Sequence, residues 1–268
     1  MVPDLSPPMS MGKIQLKLKQ KINIRGHLVS GCSLLPDGRM VLSCYITDTV
    51  TFINKEGVEL FQIGKDTTGS STYDTVYIKD KNSVAVSSGP VGNRCITIID
   101  IESQKVMTTI TIDDVTLGMA VRGKTIYYCT GNMLNLTDKS VCDINSSNKS
   151  NITYVVTSGN KLYYRGCKPH TVTLYDLYGT TQWEFKDEWV LKGPCGISVD
   201  NDGNVYVVGN SSNNVVVISP DGQRYRELLS SMDGLLHPVV LEYDKSTNRL
   251  LVVSESKSAF LFDVTRGQ

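Results

Sequence analysis

Residues 195–208 read Cys195-Gly196-Ile197-Ser198-Val199-Asp200-Asn201-Asp202-Gly203-Asn204-Val205-Tyr206-Val207-Val208. Two alternating apolar runs flank an Asp-Gly pair, and Asp-Gly between such runs is among the strongest short hairpin signals because glycine accepts a positive φ. A third run over 215–219 follows, and Pro220-Asp221-Gly222 turns it into a fourth over 224–228. The stretch therefore predicts one four-stranded antiparallel sheet.

The same strand-turn unit recurs about every forty residues along the chain. Its turns are Pro36-Asp37-Gly38-Arg39, Asp80-Lys81-Asn82-Ser83, Arg122-Gly123-Lys124-Thr125, Ser158-Gly159-Asn160-Lys161, Asn201-Asp202-Gly203-Asn204 and Ser246-Thr247-Asn248-Arg249, each followed by an apolar or aromatic run. Six copies predict an all-β, six-bladed propeller of four-stranded antiparallel blades. The blades are bounded at 25–64, 65–113, 114–150, 151–187, 188–233 and 234–264, after a leader over 1–12 and before a tail over 265–268. The sixth has room for only three strands. Residues 13–24 alternate, with Ile14, Leu16, Leu18, Ile22 and Ile24 on one side and Lys13, Lys17, Lys19 and Lys21 on the other. This strand has no hairpin partner nearby, so it is expected to complete the last blade and close the ring, which removes an exposed sheet edge. Blade three is the thinnest, since 132–151 is rich in Asn and Ser and poor in apolar residues.

Composition narrows the function. Lys plus Arg and Asp plus Glu are both 27 in 268 residues, so a uniformly basic nucleic-acid binder is disfavoured. The seven cysteines (32, 44, 95, 129, 142, 167 and 195) are scattered and contain no C-x-x-C pair, which favours buried thiols in a reducing, cytoplasmic setting. No apolar run approaches membrane-spanning length, and 1–12 lacks the apolar core of a signal peptide. The N-x-S/T sequons at Asn135, Asn145, Asn148, Asn151 and Asn210 carry little weight without a secretory signal.

Residues 193–208, followed by Asn214-Val215-Val216-Val217-Ile218-Ser219-Pro220-Asp221-Gly222, resemble an NHL repeat, with its Pro-x-Gly entry, Asp-x-x-Gly turn and returning valine run. Ser30-Gly31-Cys32-Ser33-Leu34-Leu35-Pro36-Asp37-Gly38 matches in part, as does His237-Pro238-Val239-Val240, whereas blades two to four lack the entry motif. The chain is similar to the C-terminal propeller of tripartite-motif ubiquitin ligases. That resemblance implies a recognition domain binding a protein substrate, with ubiquitin transfer and oligomerisation carried by RING, B-box and coiled-coil segments that are not within these residues.

Catalytic signals are weak. His27, His170 and His237 would have to converge from blades one, four and six to hold a metal, with no accompanying carboxylate pattern. Asp200-Asn201-Asp202-Gly203-Asn204 has its glycine at the fourth position, unlike a calcium loop. No enzyme activity, metal or cofactor is expected for this domain. Binding residues should lie on the loops gathered at one end of the ring: Tyr45, Tyr73, Arg94, Arg165, Lys168, His170, Trp189, Lys192, His237 and Lys257. Arg94, Arg165, Lys168 and Lys192 could form a basic sector with Trp189 and Tyr73 as stacking surfaces, as in single-stranded RNA binding. Asp48, Asp66, Asp74, Asp113, Asp114 and Glu255, assigned to the same kinds of loop, offset it. A protein partner is the first expectation, RNA the alternative, and a metal-dependent hydrolase or lyase the most remote.

Overall fold

The segments between turns are dominated by Val, Ile, Tyr and Thr, residues that pack well on a pleated surface. A computed structural model describes residues 13–24, 29–64, 68, 71–89, 92, 94–129, 131–143, 153–165, 170–255 and 257–267. Those segments form six four-stranded antiparallel sheets arranged as a propeller. Blade one holds β2 (Val29–Leu34), β3 (Met40–Cys44), β4 (Thr49–Ile53) and β5 (Glu59–Ile63). Blade two holds β6 (Thr72–Ile78), β7 (Ser83–Ser88), β8 (Cys95–Asp100) and β9 (Lys105–Thr111). Blade three holds β10 (Met119–Arg122), β11 (Thr125–Tyr128), β12 (Asn132–Asn135) and β13 (Val141–Asp143). Blade four holds β14 (Tyr154–Ser158), β15 (Lys161–Arg165), β16 (Thr171–Asp176) and β17 (Thr181–Lys186). Blade five holds β18 (Pro194–Val199), β19 (Val205–Gly209), β20 (Asn214–Ile218) and β21 (Tyr225–Leu229). Blade six holds β22 (Pro238–Asp244), β23 (Arg249–Ser254) and β24 (Ser258–Arg266), with β1 (Ile14–Asn23) paired outside β24.

Burial peaks in the middle strands of each blade, between the channel-lining inner strands and the outer edge, and the residue pattern follows it. The middle strands β7 and β20 are buried at every position, so they read as continuous runs rather than alternations. The outer strands β9 and β21 alternate between exposed and partly covered. Each fully buried Val or Ile contributes about 1.5–3 kcal/mol, so the middle strands hold most of the core energy.

Small residues set the spacing between blades. A Cβ at Gly196 would lie 2.6 Å from the Cα of Val240 on the next inner strand, and Gly31 and Gly118 meet Asp74 and Tyr154 at 2.5 Å in the same way. Glycine in blades one, three and five thus admits the bulkier residue of blades two, four and six. Hydrogen bonds complete the seams: Ser33 Oγ donates to the Thr75 carbonyl at 2.9 Å, and the Tyr243 N–H donates to Ser198 Oγ at 3.0 Å.

Closure joins the two ends of the chain. Ile14 pairs with Arg266 and Asn23 with Ser258, while a bulge between Leu18 and Gln20 breaks the alternation. Ile14 and Ile22 are buried, but Leu18, on the same apolar stripe, is half exposed beside that bulge. The guanidinium of Arg266 reaches blade five, binding Asp200 Oδ2 at 3.3 Å and the Asp202 carboxylate. Asp200 is fully buried and also accepts the N–H groups of Asp202 and Asn204, at 2.9 and 2.8 Å. It therefore fixes the hairpin turn, where Gly203 has φ 83°, and the ring closure together.

Candidate functional site

Antiparallel blades send the loops between second and third strands, and between one blade and the next, to one end of the ring. The tight hairpins lie at the other end. Tyr45 sits between β3 and β4, Arg94 before β8, His170 before β16, Trp189 and Lys192 between β17 and β18, His237 before β22, and Lys257 between β23 and β24. Arg165 ends β15. Lys168, His27 and Asp66 lie outside the described residues.

Tyr73 and Asp74 belong to the inner strand β6, not to a loop. The Tyr154 hydroxyl of blade four crosses the axis and donates to the Ser30 carbonyl of blade one at 2.6 Å. Tyr73 packs against it, with ring centroids 5.8 Å apart. The two rings plug the channel towards the loop face. Burial pushes the Tyr73 phenol up to about 12, partly opposed by the Tyr154 hydrogen bond and the Arg165 charge. Tyr73 is therefore a wall of the channel rather than a presented stacking surface.

A cavity of about 210 Å³ runs down the channel, lined by Asp74, Glu242 and Cys32 among aliphatic, tyrosine and hydroxyl side chains and reaching Lys245 on the hairpin face. Both carboxyls stitch neighbouring blades. Asp74 Oδ2 accepts the Met119 N–H of blade three at 2.8 Å, and Glu242 Oε2 accepts the Leu34 N–H of blade one. Burial pushes Asp74 up to about 7 even against its two backbone donors, Met119 and Thr75. Burial, with a smaller push from Asp74, raises Glu242 to about 8. The solvent that Glu242 touches is that of the cavity. The sequence signal for this pair was an acid inside each inner run, Tyr73-Asp74-Thr75 and Leu241-Glu242-Tyr243.

On the loop face, blades five and six carry one hydrogen-bonded platform. The Lys192 N–H donates to Ser212 Oγ at 3.0 Å and the Asn210 N–H to the Gly193 carbonyl at 2.9 Å. Asn214 Nδ2 donates to the Val190 carbonyl at 2.7 Å, and the His237 N–H donates to Asn213 Oδ1 at 2.7 Å. Asn210 Nδ2 reaches the Pro238 carbonyl at 3.4 Å and Glu255 at 3.3 Å, so its sequon amide is engaged. Buried Leu191 and Leu235 anchor the two entry loops. Their neighbours point outward: Trp189 is 95% exposed, Met232 96% and Leu236 50%. Met232 and Leu236 are additions to the sequence candidates. Their signal was the Ser230-x-x-Asp233 capping box, which forms a tight turn at Ser231–Asp233 and turns Met232 outward.

The basic candidates separate. Arg94 Nη1 donates to the Asp113 carbonyl at 3.0 Å, and Arg165 donates to Thr153 Oγ1. His170 Nδ1 accepts the Gly193 N–H at 2.9 Å, which places the neutral ring's proton on Nε2 and ties blade four to the platform. Lys192, His237 and Lys257 are exposed on blades five and six. Tyr45 and Ile46 are exposed on blade one. Among the described residues, no group of three or more His, Cys, Asp or Glu is placed to hold a metal. The six described cysteines are free thiols. Among the described residues, no helix is long and apolar enough to cross a membrane.

The SBBP β-propeller repeat matches residues 194–215, the stretch that carries the clearest hairpin. No curated protein sequence matches the chain. Solved propellers do. A structural-genomics protein of unknown function from Bacteroides thetaiotaomicron VPI-5482 aligns at 13% identity and TM-score 0.72, over 97% of this chain and 72% of that one. Virginiamycin B lyase from Staphylococcus aureus aligns at 15% identity and TM-score 0.62, over 96% and 89%. A streptogramin B lyase aligns at 14% identity and TM-score 0.63, over 98% and 90%. At these identities the likeness is one of fold.

Proposed function

We propose that the chain is a non-catalytic recognition domain that binds a protein partner through the loop-face platform of blades five and six. The exposure of Trp189 carries this reading. A tryptophan at 95% exposure gains nothing for folding, yet its loop is anchored by Leu191 and by hydrogen bonds through Val190 and Lys192. An exposed aromatic on an anchored loop is the usual form of a binding hot spot, and fixing the loop beforehand lowers the entropy lost on association. By its resemblance to tripartite-motif propellers, we propose the substrate-binding end of a ubiquitin ligase as the specific role. The absence of catalysis is part of the proposal. It is supported by the platform's composition, and by the use of both axial carboxyls as acceptors for backbone N–H groups.

Site-specific photo-cross-linking in cells tests it. Probes at positions 189 and 232 should give discrete protein adducts, whereas one at exposed Tyr178, in a hairpin-face turn, should not. Equal yields from both faces would overturn the proposal.

A further inference from the structure

The axial cavity is closed at one end and open at the other. Tyr73 and Tyr154 plug it towards the loop face, whereas Lys245, exposed and also part of the lining, marks its mouth on the hairpin face. Its volume of about 210 Å³ is that of about seven waters at about 30 Å³ each. Four inner strands supply apolar wall through Val76, Val121, Val156 and Val199. Two carboxyl side chains stand among them, on β6 and β22. Asp74 uses both oxygens on backbone donors, Oδ1 accepting the Thr75 N–H and Oδ2 the Met119 N–H, each at 2.8 Å. Glu242 uses only Oε2 in this way, on Leu34. Its Oε1 accepts no hydrogen bond from any described residue, and its side chain lines the cavity. An acceptor oxygen inside an apolar-walled pocket calls for a donor from outside the chain.

We infer that this pocket binds a small organic ion with a single ammonium group, whose N–H groups donate to Glu242 and whose alkyl chain lies along the valines towards the mouth. The site is at the opposite end of the ring from the platform and stands independently of the recognition role. An ammonium head suits the carboxyls better than a metal ion. Among the described residues, no three His, Cys, Asp or Glu side chains are placed to hold one. Burial disfavours the ionised form of both carboxyls, and Asp74 adds to the effect on Glu242. A cation beside them reverses that penalty while its chain covers apolar wall. Lys245 at the mouth disfavours a second positive charge on the ligand.

The groups that face the pocket set its pH dependence. Burial raises Cys32 on β2, Tyr77 on β6, Tyr154 on β14 and Tyr243 on β22, moving all four further above neutral pH. The lining residues of β10 and β18 carry no titratable group. Burial lowers Lys245, and Asp244 at the end of β22 adds a small upward push on Glu242. Asp74 at about 7 and Glu242 at about 8 are therefore the carboxyls that ionise near neutrality. An alkylammonium keeps its proton to about pH 10, so binding should strengthen as pH rises through those values.

Calorimetric titration of the full chain with hexylamine, hexan-1-ol and 1,6-diaminohexane tests the assignment. Hexylamine should bind at one site, about tenfold more tightly at about pH 7 than at about pH 6, and level off above about pH 9. The alcohol and the diamine should bind at least about tenfold more weakly at neutral pH. Glu242→Gln keeps an acceptor for Leu34, and should bring hexylamine down to the alcohol's affinity and flatten its pH profile. Hexan-1-ol binding as tightly as hexylamine would overturn the ammonium site, as would a flat pH profile in the unaltered chain. Failure of hexylamine to bind at millimolar concentration would overturn it too. A diamine as tight as hexylamine would overturn the preference for a single charge. Cross-linking at position 189 judges the platform separately.

Discussion

The axial pocket and the blade five–six platform both invert the usual distribution of side chains, and they do so for different reasons. The pocket places carboxyl groups inside the ring, and the platform places tryptophan and methionine outside it. Each buried carboxyl has a structural use: Asp74 and Glu242 accept backbone N–H groups from the neighbouring blade, and Asp200 binds a hairpin and Arg266. Among the described residues, no comparable internal use exists for the indole of Trp189 or the side chain of Met232. A buried polar group with partners is explained by the fold. An exposed apolar group on a fixed loop is explained by something outside it.

The comparison breaks most readily at Asp200. Asp200→Ala leaves two turn N–H groups and the Asn204 amide without their acceptor, and Arg266 with the Asp202 carboxylate alone. A loss of about 3–5 kcal/mol in urea-unfolding free energy is expected. A loss below about 1 kcal/mol would show that the buried acid is incidental to closure.

The axial pair should act next, through pH. Both folded-state pKa values are raised, so between about pH 4 and 8 the folded state holds protons that the unfolded state has released. Stability contributed by the pair is therefore fully present near pH 4 and lost as pH rises through about 7 and 8. Asp37, held low by its Arg39 hydrogen bonds and charge against its own burial, acts oppositely and loses its contribution as pH falls below the usual carboxylate value. Thermal unfolding should give a maximum on the acid side of neutral. Glu242→Gln should flatten the alkaline limb while keeping an acceptor for Leu34; an unchanged limb would remove Glu242 from the account.

Tyr154→Phe deletes the buried hydrogen bond to Ser30 across the axis and the hydroxyl contact with Tyr73, and should cost about 1 kcal/mol, read by the same unfolding assay. It should leave adduct formation at position 189 unchanged, since the plug and the platform are separate. Trp189→Ala should give the smallest change in stability, within about 0.5 kcal/mol, while abolishing partner binding. A large destabilisation would move Trp189 into the structural class and end the contrast.

Strand number, blade number and closure were legible in the sequence because each rests on local chemistry. The Asp-Gly and Asn turns set the hairpins, alternation marked the outer strands, and the unpaired run at 13–24 had one open edge to fill. The bulge at Leu18–Gln20 was not legible, since register against β24 is set by pairing with residues more than two hundred positions away. Of the binding candidates, Trp189, Lys192 and His237 share a platform whose order comes from Asn210, Asn213 and Ser212 on a neighbouring loop. Tyr73 read as a surface ring because nothing in its own segment reveals Tyr154.

The sequence by itself determined a six-bladed ring closed by its first strand, since period-two patterning and turn residues act over a few positions. Tertiary structure alone decided what the ring encloses and presents. Tyr154 meets Ser30 across 124 positions and Glu242 meets Leu34 across 208. Such contacts depend on the diameter and twist that all six blades adopt together, and no local pattern encodes them.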